Sequence, residues 1–133
     1  MNPSIIDHIG ISVSNYERSR AFYAAALAPL GITLLMEFGK AAGFGRDGKP
    51  ELWIGSEAMT FQTPEQLRPI TPMHVAIKAQ SRAEVEAFHQ AALAAGATDF
   101  GAPGLRPHYH PGYYGAFALD PDGHNVEAVF HGG

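Results

Sequence analysis

The chain has 133 residues, of which 46% are hydrophobic and 17% charged, and its formal net charge is −4. This length fits a single domain, or two small modules that share a core. The absence of cysteine excludes a disulfide framework, a zinc ribbon and a thiol nucleophile. The negative charge argues against nucleic-acid binding. We expect a cytoplasmic protein without membrane contact, because no signal peptide or membrane-spanning stretch is apparent.

The two halves of the sequence resemble each other at a shift of 66 residues. His8 then aligns with His74, Phe22 with Phe88, and one alanine-rich segment with another, giving eight identities in the 21 positions from residue 8 to residue 28. Each alanine-rich segment follows a predicted capping box, Ser14 with Glu17 and Ser81 with Glu84. Such a repeat predicts two copies of one supersecondary unit.

Each half is predicted to contain a strand, a helix and three further strands. Alternation of apolar and polar residues predicts the first strands at residues 5–13 and 73–79, with His8 and His74 facing away from the helices. The later strands are predicted at residues 32–38, 41–45 and 51–55, and at residues 98–101, 114–119 and 125–130. Within one domain, we expect module 1 over about residues 1–62, a proline-rich linker over about 63–72, and module 2 over about 73–133.

The last strand of each half carries a glutamate shortly after an Asp-Gly turn, Glu51 in the first and Glu127 in the second. We interpret these two positions as equivalent, as are those of His8 and His74. If the halves pack about a pseudo-two-fold axis, the four side chains converge. Two imidazoles and two carboxylates suit a divalent metal such as Zn, Ni, Co, Mn or Fe(II).

Three motifs resemble those of the vicinal oxygen chelate superfamily, which includes glyoxalase I, bleomycin-resistance proteins and extradiol dioxygenases. They are residues 7–13 with the following Phe22-Tyr23, residues 73–77, and residues 120–127. The resemblance implies an α+β fold in which two βαβββ modules form a cupped eight-stranded mixed sheet around a divalent metal. It implies that His8, Glu51, His74 and Glu127 are the metal ligands. It also implies a homodimer, in which the metal site is sometimes shared between two chains.

A second candidate region is the segment of residues 101–115, which contains histidines, tyrosines and an arginine among prolines and glycines. A long loop of this composition favours a pocket wall beside the metal. We expect Arg106 to bind a carboxylate or phosphate, and Tyr113 or Tyr114 to bind a carbonyl or hydroxyl group. Trp53, which shares a strand face with Glu51, is a further pocket candidate. The remaining predicted substrate-binding residues are His108, Tyr109 and His110.

Three functions remain open at this point. The first is a metal-dependent lyase or isomerase of the glyoxalase type, in which the metal chelates neighbouring oxygens of a small organic substrate and Glu51 or Glu127 moves a proton. The second is an Fe(II) extradiol-type dioxygenase that uses His8, His74 and Glu127 as a two-histidine-one-carboxylate triad. The third is a drug-sequestering binding protein without enzymatic activity.

Overall fold

The computed structural model describes residues 4–132, so residues 1–3 and 133 of the predicted modules lie outside the described part. Module 1 and module 2 each have the predicted βαβββ order, and a short helix lies in the linker. The elements are β1 Ile9–Ser12, α1 Tyr16–Leu27 with a 3₁₀ turn at Ala28–Leu30, β2 Thr33–Phe38, β3 Ala41–Arg46, β4 Lys49–Gly55, α2 Pro64–Leu67, β5 His74–Lys78, α3 Arg82–Ala94, β6 Thr98–Leu105, β7 Tyr113–Leu119 and β8 Asn125–His131.

The eight strands form two four-stranded mixed sheets, which confirms the predicted α+β class. Their strand orders are β1-β4-β3-β2 and β5-β8-β7-β6. In each sheet the first strand is parallel to the last, and the other pairs are antiparallel. Within residues 4–132, β1 and β5 are both edge strands, so the two sheets are not hydrogen-bonded into one continuous sheet.

The helices cover one face of the sheets and contact each other through α1 and α3. Because each helix presents an apolar stripe, its large side chains are removed from water. Phe22, Tyr23, Leu27 and Phe88 are at most 2% exposed. Burying a large apolar side chain contributes about 1.5–3 kcal/mol. The opposite face of each sheet is therefore free to carry polar residues. No helix within residues 4–132 is long and apolar enough to span a membrane.

The two modules are joined by a buried polar network around Asp120 and His124. The Tyr23 hydroxyl donates to Asp120 at 2.5 Å, and burial raises the pKa of Tyr23. The Met73 amide donates to His124 Nδ1 at 2.9 Å, so His124 Nε2 carries the proton and donates to the Ser12 carbonyl at 2.7 Å. His124 thus links β1 of module 1 to module 2.

Several element boundaries differ from the predictions. Helix α1 is capped by Asn15, whose side chain accepts from the Arg18 amide. The predicted cap Ser14 donates instead to Asp122. The segment of residues 101–115 is not one loop, because β6 continues to Leu105 and β7 begins at Tyr113. Only residues 106–112 connect the two strands.

Candidate functional site

The polar face of module 2 brings together two of the predicted ligands. His74 lies on β5 and Glu127 on β8, and His74 Nε2 is 3.2 Å from Glu127 Oε1. The Glu127 side chain is 2% exposed, whereas the His74 side chain is 50% exposed. A buried carboxylate needs a charged or hydrogen-bonding partner. The His74 ring lies against this carboxylate and remains accessible from outside the sheet.

A backbone contact fixes the orientation of the His74 ring. His74 Nδ1 lies 3.1 Å from the carbonyl oxygen of Asn125. Because a carbonyl can only accept, Nδ1 carries a proton, and in the neutral ring Nε2 presents its lone pair to Glu127. Two lone-pair-bearing atoms at this distance repel each other unless a proton or a cation lies between them. Metal-binding histidines have the same anchor, in which the other ring nitrogen donates to a carbonyl.

Tyr113 holds the other oxygen of Glu127. Its hydroxyl donates to Glu127 Oε2, and burial together with this hydrogen bond raises the pKa of Tyr113. Tyr113 itself packs edge-on against Tyr109, His110 and His131, with ring centroids 4.8–5.4 Å apart. The carboxylate is therefore fixed on both sides, with Oε1 directed toward His74.

The corresponding face of module 1 carries His8 and Glu51, and both side chains are exposed. Asp7 accepts a hydrogen bond from His8 Nδ1 at 2.7 Å, which leaves His8 Nε2 available. His8 and Lys49 hold the pKa of Asp7 below its ordinary value. His8 thus resembles His74 in that an oxygen atom anchors its Nδ1, but no carboxylate contacts its Nε2 within residues 4–132.

The four predicted ligands do not meet within one chain. Among residues 4–132, no three His, Cys, Asp or Glu side chains lie close enough together to hold a metal ion. Only His74 and Glu127 are in contact. Glu51 and His74 do line a common, largely apolar cavity of about 460 Å³ between module 1 and β5. The structure thus presents two separate candidate half-sites, His8 with Glu51 on module 1 and His74 with Glu127 on module 2.

The strand register corrects the predicted equivalence of Glu51 and Glu127. Ile9 pairs with Leu52 in module 1, and Val75 pairs with Val126 in module 2. Since Ile9 corresponds to Val75 in the 66-residue repeat, Leu52 corresponds to Val126. Trp53 is therefore the counterpart of Glu127, and Glu51 is the counterpart of Asn125. The sequence comparison misplaced Glu51 because both glutamates follow an Asp-Gly turn, but at different distances.

Trp53 occupies its position with the help of two neighbours. Its ring stacks on Phe38 with a centroid separation of 6.0 Å and an interplanar angle of 13°. It also lies against Gly43, its partner across the sheet, where an added Cβ would come within 2.8 Å of the ring. The place that holds a carboxylate in module 2 is thus an aromatic platform in module 1. Phe38 and Gly43 were missed in the sequence, where only the alternation along β2 and β3 points to them.

Among the predicted substrate-binding residues of module 2, Tyr114 lies apart from the other five. Tyr113 contacts Glu127, Tyr109 and His110 pack on Tyr113, and Arg106 lies over the ring of Phe117. His108 is exposed and packs on Tyr109. The prediction for Tyr114 is wrong.

Tyr114 lies on the opposite face of β7 from Tyr113, because neighbouring side chains alternate along a strand. It is buried against α3, where its hydroxyl donates to Glu86 at 2.6 Å and Arg82 lies over its ring. This pair has the same chemistry as Tyr113 and Glu127 but is separated from the candidate site by the sheet.

Comparison with known proteins assigns the chain to a family. The sequence model of the Glyoxalase/Bleomycin resistance protein/Dioxygenase superfamily matches residues 5–128. The chain belongs to this superfamily. No match was found among the curated proteins.

Solved structures of the superfamily have the same fold. A glyoxalase/bleomycin resistance protein from Albidiferax ferrireducens T118 is 28% identical, with a TM-score of 0.78 over 96% of this chain and 98% of that one. Lactoylglutathione lyase from Agrobacterium tumefaciens is 18% identical, with a TM-score of 0.67 over 97% and 95%. The oxidase ChaP-H1 is also 18% identical, with a TM-score of 0.66 over 96% of each chain. At 18% identity the likeness extends to the fold alone.

We expect Tyr113→Phe to weaken divalent metal binding by about 10–100-fold, because the hydroxyl orients the carboxylate that would bind the ion. Isothermal titration with Zn²⁺ or Ni²⁺ measures the change. Tyr114→Phe is the matched control, since it removes a hydroxyl bonded to Glu86 on the other face of the strand. Equal affinities in the two variants would contradict a role for Tyr113 at the metal.

Proposed function

We propose that this protein is a metal-dependent enzyme that binds a small organic substrate through two neighbouring oxygen atoms. The observation that carries the proposal is the contact of His74 with Glu127, in which the histidine is anchored through Nδ1 and the carboxylate through Oε2. Membership of the superfamily supports it.

The donor atoms of this contact fit a divalent metal. Zinc-like ions bind imidazole nitrogen and carboxylate oxygen at about 2.0–2.2 Å. Two such ligands, at the angles of octahedral or tetrahedral coordination, lie about 2.8–3.5 Å apart. The observed separation of 3.2 Å lies within this range. A divalent ion bound there would act as a Lewis acid toward the oxygens of the substrate.

His8 is the third ligand in this proposal, and a second copy of the chain supplies it. Within one chain His8 does not join His74 and Glu127. Within residues 4–132 its Nε2 makes no hydrogen bond, and His8 lies beside the edge strand β1. An isologous homodimer pairs module 1 of each chain with module 2 of the other, which creates two identical composite sites.

The chain's own residues have distinct tasks in a lyase or isomerase reaction. Glu127 is held by Tyr113 and His74, so it serves best as a fixed ligand. Glu51 is exposed on the same face as Trp53 and, within residues 4–132, makes no side-chain hydrogen bond. It is the carboxylate that is free to accept and return a proton. The stacked rings of Trp53 and Phe38 offer an apolar surface on the same face of the sheet.

A second candidate reaction is Fe(II)-dependent dioxygenation. The register supports it, because Trp53 replaces a second carboxylate and leaves His8, His74 and Glu127 as a two-histidine-one-carboxylate triad. A drug-sequestering protein has no need of two anchored histidines, so nothing specific favours that alternative.

Metal-loaded protein distinguishes these functions. We expect one divalent ion per chain by elemental analysis of protein purified without chelator. Ni²⁺- or Zn²⁺-loaded protein should then isomerise a 2-oxoaldehyde hemithioacetal if the lyase proposal holds. Oxygen consumption by Fe²⁺-loaded protein with catechols would instead establish the dioxygenase. A protein that binds no divalent ion would contradict both.

A further inference from the structure

Arg106 lies on the same face of the module 2 sheet as Glu127. The register pairs Leu105 with Tyr114, and the Arg106 amide donates to the Tyr113 carbonyl at 2.7 Å. Partners across antiparallel strands point to the same side of a sheet. The side chains of Arg106 and Tyr113 therefore share the face that carries the candidate site.

The Arg106 side chain lies back along β6, where two glycines leave room for it. A Cβ on Gly104 would be 3.2 Å from Nη1, and a Cβ on Gly101 would be 3.1 Å from Nη2. The guanidinium donates to the carbonyls of Gly104 at 2.8 Å and Ala102 at 2.9 Å. A normally flexible side chain is thus fixed in one position on the floor of this face.

The fixed guanidinium is close to the metal half-site. Its central carbon lies 5.4 Å from the ring centroid of Phe117, and that ring stacks on His74 at 6.2 Å. Phe117 is also the cross-strand partner of Glu127. Within residues 4–132, no carboxylate lies within ion-pair distance of Arg106. Two of its five N–H groups contact carbonyls, which leaves three for a ligand.

We propose that Arg106 is a carboxylate-binding residue, and that the substrate of this protein is an organic acid whose carboxylate lies over Phe117. The planar fork of a guanidinium matches the two oxygens of a carboxylate. The part of the substrate that carries two neighbouring oxygens then reaches His74 and Glu127, and this second statement rests on the proposed function. An aromatic acid suits the flanking rings of Phe117 and Tyr113.

The carboxylate site is tested first on metal-free protein. Benzoate and methyl benzoate are titrated while the amide resonances of Phe117 and the imidazole resonances of His74 are followed by NMR. We expect benzoate to bind the wild-type protein and methyl benzoate to bind at least about tenfold more weakly, because only the acid can pair with the guanidinium. The comparison uses the unaltered protein, so it holds even if a variant fails to fold.

Variants then assign the effect to Arg106. Arg106→Gln should abolish the preference for the acid, and Arg106→Lys should retain part of it. Arg82→Gln is the matched control, since Arg82 lies over Tyr114 on the other face of the sheet. An unchanged preference in Arg106→Gln would overturn the proposal. Tighter binding of phenylphosphonate, also dependent on Arg106, would overturn the carboxylate assignment in favour of a phosphate ligand.

A metal-loaded titration separates this inference from the proposed function. We expect 3,4-dihydroxybenzoate to bind more tightly than its methyl ester, and Arg106→Gln to remove that difference without changing metal content. If the ester binds as tightly as the acid, and its binding needs metal but not Arg106, the carboxylate site is refuted and the proposed function is not. Arg106-dependent benzoate binding in a protein that takes up no metal would refute the proposed function alone.

Discussion

Glu127→Gln is expected to abolish stoichiometric binding of divalent metal while the fold survives. Glutamine keeps the size of the side chain and can still interact with Tyr113, but it removes the anionic oxygen that faces His74. Loss of residues that merely orient metal ligands costs about 10–100-fold in affinity, and loss of a ligand should exceed that range. His74→Ala should have the same effect. Elemental analysis and calorimetric titration measure it.

Glu86→Gln is a matched control for this substitution. Glu86 accepts a hydrogen bond from Tyr114 much as Glu127 does from Tyr113, but it lies on α3, away from the candidate site. We expect Glu86→Gln to bind metal as the wild-type protein does. Thermal unfolding verifies that both variants are folded. If Glu127→Gln retains wild-type affinity, the metal site lies elsewhere.

The internal repeat made most of the fold predictable. A strand, a capped alanine-rich helix and further alternating strands recur in both halves, and local patterns of this kind depend on short-range periodicity. The facing of His8 and His74 away from the helices followed from the same alternation. What escaped prediction was strand register, because pairing depends on contacts between distant strands. The predicted position differs from the observed one by two residues, from Glu51 to Trp53. A shift of two residues keeps a side chain on the same face of the sheet but changes its cross-strand partner.

The assembly of the site could not be predicted from local sequence patterns either. Alternation identifies a face but does not specify which two faces meet. The network of Tyr23, Asp120, Ser12 and His124 fixes how the modules pack within a chain. His74 and Glu127 contact each other within module 2, and His8 of module 1 does not join them. The linking role of His124 was not predicted, because local sequence does not distinguish a buried histidine that joins two backbones from an ordinary turn residue.

If the metal site is composite, a heterodimer of two inactive variants should bind metal. In a dimer of His8→Ala with Glu127→Gln, one composite site carries both substitutions and the other carries neither. Each parent homodimer has two damaged sites. We therefore expect the purified heterodimer to bind about half as much metal as the wild-type dimer, and each homodimer to bind none. Two different affinity tags allow its isolation after co-expression.

The heterodimer of His74→Ala with Glu127→Gln is the control for this experiment. Both substitutions lie in module 2, so every composite site receives one of them and no metal should bind. A site built within one chain from His74 and Glu127 alone predicts metal binding by the His8→Ala homodimer as well, because that substitution leaves both residues intact. Restored binding confined to the first heterodimer would therefore require His8 of one chain to meet His74 and Glu127 of the other. Binding in neither, from dimers that are folded and stable, would exclude the shared site and leave His74 and Glu127 as a two-residue contact within one chain.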